Sequence, residues 1–375
     1  MKANAKWSVL LSVLLLSSCF ERDEDPIDPA PDPDPIVEVP KCNIIEVKDD
    51  ITTPTTWKEG NVYVMRGKNI VVRNTTLTIE AGVTVKMEDS EIRVSGGSVV
   101  ANGTSDKRIV FTSLADDRYC GDTNGDGNAS KAEKGDWKGL ILSSGSNQIF
   151  KNVDIFYAGQ NRGGYYTAVK IDGTVNSFEF NSCRIAHTLF SSAASYNSAT
   201  AFYAGSYIDN AQRHRLINNA FYDNGKPLYI WTHYTLDTSN KFHNPEDPKV
   251  TNSHNGIFLT RSSGGMETSA KWEHTEVPYV LSEVLTLFSS QTFTIGENVK
   301  VKFKNSGDGI SFPTLNQFQY HPSSVFTSYR DDSVGGDTNG DQNTSEPKVG
   351  DWKGLYIINS QEYIAGSQVK YAAKP

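Results

Sequence analysis

From Lys41 onward the apolar positions come in short runs that alternate with polar ones and almost never recur at helical spacing. LTIE from Leu77, VTVKM from Val83, EIRVS from Glu91, SVVAN from Ser98 and RIVFT from Arg108 are rich in β-branched residues, the pattern of strands with one buried face. Gly, Asn, Asp and Ser punctuate them, and their starts fall about 7 to 10 residues apart. Three such strands per turn make a coil of about 22 to 25 residues, the repeat length of a parallel β-solenoid. The expected fold is therefore all-β, with inward positions filling a narrow core and outward ones in water. An antiparallel sandwich is the competing arrangement.

One segment occurs twice. FTSLADDRYCGDTNGDGNASKAEKGDWKGL runs from Phe111 to Leu140, and FTSYRDDSVGGDTNGDQNTSEPKVGDWKGL from Phe326 to Leu355. The strands before it are also duplicated, since Tyr279 to Phe303 parallels Tyr63 to Met87. Two modules follow, 42–262 and 263–375, the second ending soon after its GDWKGL. A shortened solenoid leaves an open edge, which needs a cap, a docking surface or a neighbouring coil.

TLTIEAGVTVKMEDSEIRVSGGSVVANGTSDKRIVFTS resembles the start of right-handed parallel β-helix proteins of the pectate-lyase-like class. FKNVDIFYAG from Phe150, FEFNSCRIAH from Phe178 and RLINNAFYDNGKPLYI from Arg215 resemble later coils of that class. The resemblance spans Asn61 to Leu259 and implies a right-handed parallel β-helix in which strand-end asparagines bond along neighbouring turns. It implies a fold and not an activity.

The duplicated loops, 116–136 and 331–351, carry the clearest chemistry. Asp122, Asn124, Asp126, Gly127, Asn128, Ser130 and Glu133 occupy positions 1, 3, 5, 6, 7, 9 and 12 of an EF-hand-type loop, where alternating oxygen ligands converge on Ca2+. Asn128 would act through its carbonyl and Ser130 through water. The second loop offers Asp337, Asn339, Asp341, Asn343 and Ser345, but has Gln342 for the glycine and Lys348 for the glutamate, leaving Glu346 as a substitute. Asp116, Asp117, Asp331 and Asp332 upstream, and Asp136 and Asp351 downstream, are candidates to complete the shells. A metal-free Asx-rich turn is the alternative. Both flanks read as strands, so this is not an EF-hand domain, and Trp137 and Trp352 are expected to pin the loops to the solenoid. Extracellular sites of this kind bind at about 10⁻⁴ to 10⁻³ M, which suits a structural staple.

Lys2 and Lys6 precede an apolar run from Trp7 to Leu16, and Leu16-Ser17-Ser18-Cys19 follows. This resembles a bacterial lipoprotein signal over 1–18, with Cys19 as the lipidation site. The stretch 19–41 is an acidic, proline-rich tether, similar to the surface-export signal of Bacteroidetes-type lipoproteins. The implied location is the outer membrane, exposed at the cell surface, with the membrane met only through the lipid anchor. The formal net charge of -8 resides mostly in that tether. The remaining body is nearly neutral, which argues against nucleic acid as a partner. Cys42, Cys120 and Cys183 remain, an odd number whose pairing stays open.

No GxSxG, HExxH or P-loop pattern occurs. His214, Asp223 and Lys226, with Asp209, Arg213 and Arg215 nearby, are the acid–base candidates for a polysaccharide lyase or glycoside hydrolase working in a groove. In PLYIWTHYTLD from Pro227, inward Leu228 and Ile230 would put Tyr229, Trp231 and His233 on the outer face, a strip able to stack on sugar rings. Carbohydrate binding or adhesion is the favoured expectation, with a glycan or polysaccharide as partner and a protein partner possible. A purely structural surface scaffold is the third reading.

Overall fold

A computed structural model describes residues 42–374 except 144–146, 164–165, 173–174, 192–198, 206–212, 261–264 and 267. The expected signal peptide, Cys19, the whole of the tether and Asp209 lie outside the described residues.

The chain is an all-β parallel β-helix. From Thr55–Trp57 to Lys226–Trp231 successive strands fall in turn on three sheets, so each coil contributes one strand to each face, and two further sheets of three and four strands complete the second module. The first sheet runs from Asn43–Glu46 through Asn61–Arg66, Thr84–Glu88 and Ile109–Ser113 to Ala220–Tyr222. The second has ten strands, from Ile70–Arg73 to Val325–Ser328, and the third runs from Thr55–Trp57 to His214–Ile217. Val62 pairs with Thr84, and Thr84 with Val110, all in parallel. The antiparallel sandwich is excluded: among described strands the only antiparallel pair is Gly354–Ile357 with Glu362–Tyr363.

Alternation sets the core. In Thr76–Ile79 and Ser98–Asn102 the buried positions are Leu77, Ile79, Val99 and Ala101. Further along, the coil is filled by rings stacked along the axis, Phe150 on Phe180 at 4.6 Å and Phe180 edge-on to Phe202 at 5.0 Å. Such contacts add to the area buried by each ring. The asparagines at strand ends form buried ladders. The Asn219 amide donates to Phe180 O and Asn240 Oδ1, and that of Asn224 to Ile185 O and Asn252 Oδ1. These bonds satisfy corner carbonyls that water cannot reach.

The second module stacks on the first, and one core cluster runs from Ile51 to Ala372. It enters one face out of phase. Its counterparts of the first-sheet strands, Tyr279–Leu281, Lys300–Phe303 and Val325–Ser328, hydrogen-bond onto the second sheet of the first module. Ile257–Thr260 joins them, pairing with Lys226–Trp231 on one side and Tyr279–Leu281 on the other. Local detail is repeated: Trp57 stacks on Tyr63 and Trp272 on Tyr279, each at 4.6 Å. The last residues begin one more coil. Ala372 bridges to Trp352 as Ala158 bridges to Trp137.

Candidate metal centres

Each loop leaves a strand and returns to the next through Gly-Asp-Trp. In the first, the Thr112 hydroxyl donates to Asp116 at 2.5 Å, and Arg118 donates to both Asp116 oxygens at 2.8 and 2.9 Å. This fixes the exit from the strand. At the return, Glu133 N–H donates to Asp136 at 2.9 Å, and the fully buried Trp137 donates from Nε1 to Phe156 O at 2.7 Å. Thr327–Asp331 at 2.6 Å, Lys348–Asp351 at 3.0 Å and Trp352–Lys370 O at 2.7 Å repeat the scheme.

Between these anchors, Asp122 accepts from the N–H groups of Gly125, Asp126 and Gly127 at 2.7, 3.1 and 2.9 Å. Asp126 accepts from Ala129 N–H, Ser130 N–H and the Ser130 hydroxyl. The Asn124 amide nitrogen donates to Asp126 and to Ser130 Oγ, both at 2.9 Å, so its oxygen turns inward. Asp117, Asp122 and Asp126 each bring one oxygen within 4.8 Å of the others, as do Asp332, Asp337 and Asp341. Asn124 Oδ1, Asp117 Oδ1 and both Asp332 oxygens are buried without a hydrogen-bond donor. The Asn343 backbone N–H faces Asp332 and draws its carboxyl down, against the larger effect of burial.

Positions 1, 3 and 5 of the expected register thus converge, and the twelfth does not. Glu133 and Glu346 are exposed and stand apart from the carboxylate groups, whose third members are Asp117 and Asp332. In an EF-hand the exit helix carries the last glutamate back over the ion. Here the chain turns at once into a strand held by Asp136 and Trp137. The side chains of Asn128 and Asn343 are exposed, and the Ser130 and Ser345 hydroxyls donate to Asp126 and Asp341.

A buried lysine lies under each loop. Lys86 Nζ donates to Gly121 O at 2.8 Å, and Lys302 Nζ to Gly336 O at 2.7 Å and Thr338 Oγ1 at 2.9 Å. Burial lowers both ammonium pKa values, that of Lys302 to about 8, against nearby aspartates that raise them. Burial pushes the Asp117 and Asp332 carboxyls up, while backbone N–H groups, Gly127 first, hold Asp122 down. Three carboxylates and one ammonium leave two negative charges, which a divalent cation neutralises. The donors are all oxygen, with no thiolate or imidazole in either group, and this suits a hard cation such as Ca2+.

The loops differ in how they are tied down. A disulfide joins Cys42 to Cys120, with Cα atoms 5.2 Å apart, and Cys183 is a buried free thiol. Gly335 stands where Cys120 would be.

The other expected sites do not assemble. Leu228 and Ile230 do face the core, but Tyr229 and His233 are only 3% and 2% exposed, and Trp231 is half-buried against the core. The flat strip fails because its outer face is covered: Tyr229 stacks on Tyr203 at 5.2 Å and packs with Phe258, Val280 and Tyr329. His214 is buried with Nε2 on Val175 O at 3.1 Å. Lys226 is buried over the Phe258 ring, and burial lowers its pKa to about 8. His214 lies on the third sheet, whereas Asp223 follows a strand of the first, so these three form no constellation. Asp223 instead meets His187 Nδ1 and Lys134 Nζ, both at 2.7 Å. His187 went unselected in the sequence. The available signal was its position, one coil before Asp223 and immediately after a first-sheet strand.

No curated protein and no solved structure shows significant similarity to the chain. A family model described as a pectate-lyase like beta helix domain matches residues 49–158, which include the whole of the first loop.

Proposed function

We propose that this protein is a lipid-anchored, surface-exposed β-helix whose two loops bind calcium as structural staples, and that it serves as a rigid scaffold for binding or adhesion. The observation that carries this reading is the convergence, in both loops, of three carboxylates around buried oxygens that lack donors. Desolvated acceptors without a partner cost about 1–3 kcal/mol each, and a cation would remove that cost. Terbium luminescence and calorimetric calcium titration test it. Two ions per chain are expected, falling to one in Asp122→Asn. No binding at millimolar calcium would sink the reading.

A carbohydrate ligand is favoured by a different observation from the one the sequence suggested. Tyr157 and His187 stack at 4.9 Å beside the first loop, and Arg118 donates to the Tyr157 hydroxyl at 3.2 Å. Beside them opens a recess of about 320 Å³ lined by Tyr157, Arg118 and Lys131. Glycan-array binding that disappears in Tyr157→Ala and His187→Ala would support this surface. Release of sugar product, lost with His187→Ala or Asp223→Asn, would turn the reading toward an enzyme.

A further inference from the structure

The two loops land on different ground. The first lies over the opening strands of its own module, where Leu114 packs with Val62 and Val64 and the Cys42–Cys120 disulfide holds it. The second lies over the joint between the modules. Tyr229, Phe258 and Val280 sit in one register row on three neighbouring strands of the second sheet, the first two at the end of the first module and the third in the second. Tyr329, at the neck of the second loop, packs on that row. Beyond it, a Cβ on Gly335 would lie 2.5 Å from Pro278, one on Gly340 2.5 Å from the His254 ring, and one on Gly256 3.0 Å from Thr338. The contact is close from Gly335 to Gly340, and no disulfide secures it.

We infer that the second loop is a cation-dependent latch on the joint between the two modules. This rests on the calcium reading above. Between Gly336 and Gly350 the loop is shaped largely by aspartate-centred turns, with Asp337 and Asp341 gathering its N–H groups. Asp332, Asp337 and Asp341 repel one another unless a cation sits among them, and Lys302 offsets only one of the three charges. Loss of the cation releases the loop from His254, Gly256 and Pro278, while the ladder hydrogen bonds beneath stay intact. The first loop keeps its place under the same conditions because its disulfide is independent of the ion.

The test is hydrogen–deuterium exchange on the full chain in calcium and in chelator, with bound ions counted on the same samples by terbium luminescence. Chelation is expected to speed exchange at least ten-fold over 335–345 and at 255–256, with little change at 120–123. Asp337→Asn should reproduce that pattern in calcium, with one ion lost. Cys42→Ser with Cys120→Ser should make the first loop equally sensitive to chelator. Two bound ions with unchanged exchange at the joint would overturn the latch and leave the calcium reading standing. Absence of any bound ion would overturn both.

Discussion

The two copies of the loop share nearly every internal hydrogen bond and differ in what holds them down. The first is anchored covalently, through Cys120 to Cys42. The second has Gly335 at that place, with φ +75° and Pro278 pressed against it. A cysteine at 335 would need room for its Cβ, and Pro278 occupies that room. The lesson is that a duplicated motif keeps its chemistry while its attachment follows the neighbours it meets.

That contrast can be strained at several points. The largest effect is expected from the tryptophans. Trp137 has further full coils beyond it, whereas among the described residues Trp352, stacked on Phe303, is covered on its far side by the short segment around Ala372. Trp137→Ala should cost about 3–5 kcal/mol and Trp352→Ala less, as read by urea denaturation followed by fluorescence and circular dichroism. Equal losses would mean that the final segment packs as firmly as a full coil. Next comes the disulfide, whose removal by Cys42→Ser with Cys120→Ser should cost about 2–4 kcal/mol and leave the second loop unaffected. Gly335→Ala combines a left-handed backbone with the Pro278 contact and should cost about 1–3 kcal/mol. The reciprocal Cys120→Gly, tested under reducing conditions, should cost less.

A smaller effect concerns pH. Burial first, then Lys226, holds the His254 imidazole down to about 4. Between that value and the ordinary 6.5 the unfolded chain binds the proton and the folded one does not, so stability falls as pH drops through this window. At pH 5.5 the loss is on the order of 1 kcal/mol. His254→Gln should flatten this part of the stability profile, and an unchanged acid slope would show that other groups set it.

Much of the fold was legible because the early coils are tight. From Thr76 to Ser113 each strand is short and bounded by turn residues, so the period could be read directly. The duplication and the positions of Asp122, Asn124 and Asp126 were equally visible, because that part of the loop is shaped by local Asx turns. What failed depended on distant chain. Tyr229 looked like an outward sugar platform, yet Tyr329 covers it from a different module. Asp117 displaced Glu133 because the return to a strand, not a helix, decides where position 12 goes. The disulfide and the His187–Asp223 pair join residues from separate coils, and spacing along the chain says nothing of such neighbours.

The one-face offset at the joint also sets an angle. Each loop leaves its module at the same corner, but the second corner has advanced by one of three faces. Further modules added in this way would carry their loops around the axis like the treads of a spiral stair, the fourth returning above the first. A flat partner would then meet only every third tread, while a partner that winds around the rod would meet them all.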